Sequence, residues 1–101
     1  MAITSTVSPD GNQVTIYIQG RFDFSSHQEF RGAYEKLAQT PQHYRVDLQG
    51  TSYLDSSALG MLLLLRDYAG GEQSNIKIVN CAPDVKKILL ISNFEQLFDI
   101  Q

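Results

Sequence analysis

Apolar and polar residues alternate along Val14-Thr15-Ile16-Tyr17-Ile18-Gln19, the period of a strand with one buried face. Before it, Pro9-Asp10-Gly11-Asn12 supplies a preset φ and then a residue tolerant of positive φ, so Ile3 to Val7 reads as a first strand hairpinned onto the second. Gly20-Arg21-Phe22-Asp23-Phe24 reads as a loop. Ser25-Ser26-His27-Gln28-Glu29 offers two overlapping capping boxes, Ser25 with Gln28 and Ser26 with Glu29. Phe30, Ala33 or Tyr34, and Leu37 then recur at helical spacing, Gly32 weakens the helix from within, and Pro41 is expected to stop it.

Tyr44-Arg45-Val46-Asp47-Leu48 alternates again and predicts a third strand, ending at Gln49-Gly50. A helix is predicted from about Ser56 to Ala69, with Gly70-Gly71 as its C-terminal stop. Ile76-Lys77-Ile78-Val79 predicts a fourth strand. Pro83-Asp84 opens a third helix that buries Val85, Ile88 and Leu89 and ends at Asn93. Phe94, Leu97, Phe98 and Ile100 form an apolar tail expected to pack back on the body. The order strand, strand, helix, strand, helix, strand, helix calls for parallel neighbours joined by crossovers. The expectation is one α/β domain over residues 1–101: a mixed sheet of about four to five strands with helices packed on it.

A length of 101 residues with 43% hydrophobic and 19% charged content allows a core without staples. A net charge of −3 offers no electrostatic reason for nucleic acid or an anionic membrane as partner. The single cysteine, Cys81, implies no oxidising compartment and reads as a small buried hydrophobe at a strand end. Met1-Ala2-Ile3-Thr4-Ser5 lacks leader character, and the apolar run Met61 to Leu65 is far short of the roughly 20 residues that span a bilayer. A cytoplasmic protein is the default expectation.

The chemistry concentrates in Asp55-Ser56-Ser57, where an apolar strand gives way to the leucine-rich helix. A serine nucleophile needs a base within reach, but His27 lies in a capping sequence, His43 precedes a strand, and neither spacing ties it to Ser56. There is no Gly-x-Ser-x-Gly elbow, Walker A loop or Gly-x-Gly-x-x-Gly fingerprint, and one cysteine with two separated histidines makes no ligand set. The pattern points away from catalysis, with no cofactor or metal expected. The Leu62 to Leu65 run reads as a helix buried against the sheet, with Met61 and Leu64 partly exposed at the Ser56 end. For the Asp-Ser-Ser triplet itself two uses stay open, helix capping and phosphorylation.

Tyr53-Leu54-Asp55-Ser56-Ser57-Ala58-Leu59-Gly60, after an alternating strand and before a leucine-rich helix, resembles the signature of the STAS domain. The closer likeness is to its free-standing bacterial form, the anti-sigma factor antagonist. Gly20-Arg21-Phe22-Asp23 resembles the family's loop after strand two, and Asn80-Cys81-Ala82-Pro83-Asp84-Val85 its turn into the last helix. The resemblance covers essentially the whole chain. It implies partner switching: the unphosphorylated protein binds an anti-sigma factor or serine kinase, phosphorylation of Ser56 releases it, and a PP2C-type phosphatase resets it. Ser57 would support the helix start. Asp23, Asp55, Ser57, Ala58, Gly60 and Met61 would form the partner surface of a free monomer. Ala58 departs from the glycine that many members carry, adding a Cβ at the rim where partner choice is decided. A competing expectation is a non-switching STAS subunit with a structural role in a larger assembly, of lipid-transport or stressosome type.

Overall fold

Val14, Ile16 and Ile18 of β2 (Gln13–Ile18) enter the core, and Thr15 on the opposite face is buried as well. A strand covered on both faces belongs inside a sheet. In the computed structural model, which describes residues 3–101, β2 has a neighbour on each side. Met1 and Ala2, the start of the segment expected to lack leader character, lie outside the described residues.

On one side β1 (Ile3–Val7) runs antiparallel, with Ile3 opposite Ile18 and Val7 opposite Val14. The hairpin turn is held by the Asp10 carboxylate, which accepts from the Ser8 hydroxyl at 2.6 Å and the Asn12 N–H at 3.0 Å. Gly11 takes the φ of +76° that the turn requires. On the other side β4 (His43–Asp47) pairs in parallel with β2, followed by β6 (Ile76–Val79) and β7 (Asp99–Ile100). The sheet order is β1-β2-β4-β6-β7, a five-stranded mixed sheet as expected. The connecting helices are α1 (His27–Glu35), α2 (Ser56–Tyr68) and α3 (Pro83–Ile91). Phe30 and Tyr34 of α1, Met61, Leu62 and Leu65 of α2, and Val85 and Leu89 of α3 join Val46, Leu48 and Ile78 of the sheet region in one core.

The structure corrects several expectations. Gly20–Phe22 is a strand, β3, and not a loop; it pairs in parallel with β5 (Thr51–Leu54) as a separate two-stranded ribbon. Three residues are too short for a period to register, and the partner is some thirty positions away. Neither capping box forms at α1. Asp23 accepts from the Ser25 N–H and hydroxyl and so starts a 3-10 turn over Phe24–Ser26, while Ser26 is buried and makes no capping bond. With Asp23 as the N-cap, Ser25 already lies inside the turn and no longer stands at the position from which it would cap a helix. α1 ends at Glu35, well before Pro41. On α3, Val85 and Leu89 are buried but Ile88 is exposed. The C-terminal tail packs back through Phe94 and Phe98, and Asp99–Ile100 adds the edge strand β7. α2 is not buried all round. Ala58, Met61, Leu62 and Leu65 fill one i, i+3, i+4, i+7 face, while Leu63 and Leu64 are exposed. Met61, expected to be partly exposed, is 3% exposed.

Candidate functional site

The ribbon of β3 and β5 sorts its side chains by alternation. Phe22 and Leu54, opposite each other in the register, point into the core. Arg21 and Tyr53, also opposite, point out, with the Arg21 guanidinium carbon 4.0 Å from the centre of the Tyr53 ring. One position beyond each strand stands an aspartate, Asp23 or Asp55, on the same outer face.

Each aspartate caps the turn directly after it. Asp55 Oδ1 accepts from the Ala58 N–H at 3.0 Å and from the Ser57 hydroxyl at 2.6 Å, starting α2. Asp23 Oδ1 accepts from the Ser25 N–H at 3.0 Å, and its Oδ2 lies 3.4 Å from Arg21 Nε. The two sites are near-copies: Arg21-Phe22-Asp23-Phe24-Ser25 beside Tyr53-Leu54-Asp55-Ser56-Ser57. Both carboxyls are held below the usual carboxylate value. For Asp55 the largest cause is the Ser57 hydroxyl, then the Ala58 N–H, with the charge of Asp23 pushing weakly the other way. For Asp23 it is the Ser25 hydroxyl, with Arg21 adding to it.

The capping role open to the triplet therefore falls to Asp55, supported by Ser57. Ser56, in the first helical position, is exposed, and its hydroxyl makes no side-chain hydrogen bond among the described residues. Of the expected partner surface, Asp23, Asp55, Ser57 and Gly60 are gathered at this end with access to solvent. Ala58 and Met61 are not. Ala58 is 0% exposed, so its methyl belongs to the core face of α2 and not to a rim. Gly60 faces open space: a Cβ built on it meets nothing within 4 Å.

Three residues of this surface escape a reading of the sequence alone. Arg21 and Tyr53 stack, and Phe24, 71% exposed, rests on the His27 ring at 5.4 Å in the position that Ser56 holds in the neighbouring motif. The repeated aspartate two residues before a serine is the available signal. His43 pairs with Asn75 at 2.7 Å. Burial pushes the Cys81 thiol up, away from the reactive thiolate. A cavity of about 300 Å³ opens elsewhere, beside Tyr17, Gln19 and Asp47, and the Asp47 carboxylate there is already bonded to the Gln49 N–H and the Asn80 amide. Among the described residues no cluster of three or more His, Cys, Asp or Glu could hold a metal ion, and no helix is long and apolar enough to cross a membrane.

Residues 5–99 match the family model described as "Mlab, STAS domain". A STAS-domain containing protein of Pseudomonas aeruginosa strain UCBPP-PA14 is 66% identical over 100 residues, covering 99% of each chain. The phosphorylated form of the Bacillus cell fate determinant SpoIIAA superposes with a TM-score of 0.74 at 16% identity, over 99% of this chain and 91% of that one. A sulfate transporter family protein from Wolinella succinogenes gives 0.71 at 13% identity, over 90% and 73%. At such identities the two structures share the fold alone with this chain.

Proposed function

The chain belongs to the STAS domain family, and we propose that within it this protein is an anti-sigma factor antagonist that works by partner switching. Unphosphorylated, it binds an anti-sigma factor or serine kinase and so frees a sigma factor. Phosphorylated on Ser56, it lets that partner go, and a PP2C-type phosphatase restores binding. It acts as a free monomer in the cytoplasm, without nucleic acid or membrane as partner. The observation that carries the reading is the division of labour in the triplet. Asp55 and Ser57 are committed to each other and to the helix start, which leaves Ser56 as the exposed hydroxyl with no structural bond to lose.

In the kinase step the Ser56 oxygen attacks the terminal phosphorus of ATP, its proton passes to a base of the kinase, and ADP leaves. The product carries about −1.5 to −2 charges at pH 7. A partner docked over Asp23, Asp55, Ser57 and Gly60 would have to desolvate that charge beside two carboxylates. Like-charge burial of this kind costs several kcal/mol, and each 1.4 kcal/mol is tenfold in affinity. Release then follows from local charge and bulk, with the fold unchanged. Mass spectrometry after incubation with the cognate kinase and ATP tests the site. Phosphate on Ser56, lost in Ser56→Ala, is the expected result; phosphate only on another residue overturns it.

A second reading, a non-switching STAS subunit of a larger assembly, is favoured by the matching model's own description, Mlab, and by the exposed Leu63 and Leu64 on α2. Under it Ser56→Ala and Ser56→Asp bind the partner alike.

A further inference from the structure

A phosphate on Ser56 needs a counter-charge, and the start of α2 is poorly placed to supply it. The N–H of Ala58 is already taken by the Asp55 carboxylate, which also accepts from the Ser57 hydroxyl, so an anion occupies the positive end of the helix. A cation on the same ribbon is Arg21. It stands across the ribbon from Tyr53, with its guanidinium over the Tyr53 ring and reaching along β3 towards Asp23. That contact is loose: 3.4 Å at a side chain that is 63% exposed. Tyr53, Asp55 and Arg21 lie on one outer face, and the register carries Asp23 alongside Asp55, close enough for the two carboxyls to feel each other. Ser56 comes directly after Asp55.

We infer that Arg21 is the internal counter-charge for phosphoserine 56: the phosphate draws its guanidinium off Asp23, with Tyr53 as the platform on which it swings. An exposed aspartate–arginine contact is weak, whereas a phosphate dianion offers three acceptor oxygens in the geometry a guanidinium fork prefers. Phosphorylation would then do two things at once. It adds negative charge at Ser56, and it uncovers the Asp23 carboxylate, so the docking surface changes over both strands of the ribbon. Arg21 is a positioning residue in this scheme, and the inference rests on Ser56 being the acceptor.

The test installs phosphoserine at position 56 during translation, by amber suppression, so that no kinase is needed. The phosphate is then titrated by 31P NMR. A cation beside it favours the dianion and lowers its second pKa. Arg21→Gln should therefore raise that pKa by roughly half a unit, the size of a unit charge a few ångströms away in water-like dielectric, and Arg21→Lys should keep most of the lowering. Asp23→Asn, which removes the competing carboxylate, should lower it further. The other charged and titratable groups on the elements packed there are Asp55, kept throughout, His27 beside Phe24, and Asp84, Lys86 and Lys87 of α3, which packs against β5. His27→Gln, Asp84→Asn, Lys86→Gln and Lys87→Gln are titrated in parallel and should each move the pKa less than Arg21→Gln does. The Arg21 Nε–H resonance should move downfield on phosphorylation. An unchanged pKa in Arg21→Gln, or an Nε–H signal indifferent to the phosphate, overturns the assignment. Neither outcome touches the switch itself, which fails separately if kinase treatment leaves Ser56 unmodified or binding unaltered.

Discussion

Gly60 lies inside α2, one turn from Ser56, and a Cβ added there meets nothing within 4 Å. Substitution at this position therefore separates folding from docking. Glycine in a helix interior costs about 0.5–1 kcal/mol relative to alanine, because it gives up more backbone freedom on folding. No clash offsets that gain, so Gly60→Ala should stabilise the domain by about that amount, raising Tm by roughly 2–8 °C for a domain of this size. Gly60→Gln keeps a good helix former and should be no less stable than the native protein, but it projects a side chain into the space that the proposed partner occupies. Its affinity for that partner should fall at least tenfold, about 1.4 kcal/mol. Thermal unfolding followed by circular dichroism and calorimetric titration with the partner give the two readings. A fall in Tm for Gly60→Ala would refute the open-space argument. Undiminished binding by Gly60→Gln would remove this face of α2 from the docking surface.

Ser56→Ala should leave stability within about 0.5 kcal/mol, because no hydrogen bond is lost, whereas Ser57→Ala should lower Tm visibly by removing the 2.6 Å bond to Asp55; equal losses would mean that Ser56 shares the capping. Leu62→Ala empties a site that is fully buried and should cost about 2–5 kcal/mol in urea unfolding, against less than about 1 kcal/mol for the exposed Leu63→Ala. Acid should weaken the fold in a set direction. The carboxyls of Asp23 and Asp55 are depressed below 3.8, so their contribution is present above that value and is lost as pH falls through the lower folded values. Asp55→Asn should flatten the drop in urea midpoint below pH 4, and an unaltered acid limb would remove Asp55 from it.

The sheet is legible in the sequence because β2, β4 and β6 each carry enough residues for a hydrophobic period to register. α2 and α3 are legible because Gly70 and Asn93 stand just beyond their ends and Pro83 opens α3; α1 stops at Glu35, ahead of its expected proline. The ribbon is not. Its pairing joins Gly20–Phe22 to Thr51–Leu54, and Arg21 gains its meaning only from Tyr53 across that pairing. The capping at α1 misleads for a related reason: Asp23, placed by the ribbon, takes the N-cap position ahead of Ser25 and Ser26. At α2 the apolar run hides its own asymmetry. Five successive apolar residues cannot say which two will face water until the sheet is in place, so the pattern alone puts Met61 outside and Leu63 inside, the reverse of their burial. The polar triplet is readable as a junction, but which member caps and which stands free depends on a rotamer, Asp55 turned back over the first turn.

The most direct test of the switch is a binding titration of the anti-sigma factor or kinase against three forms of this protein: unmodified, Ser56→Ala, and phosphoserine installed at position 56. The account predicts equal, tight binding by the first two and a loss of at least a hundredfold by the third, with all three unfolding at similar temperatures. Equal binding by all three forms would contradict it, and would leave Asp55-Ser56-Ser57 as the start of a helix and nothing more.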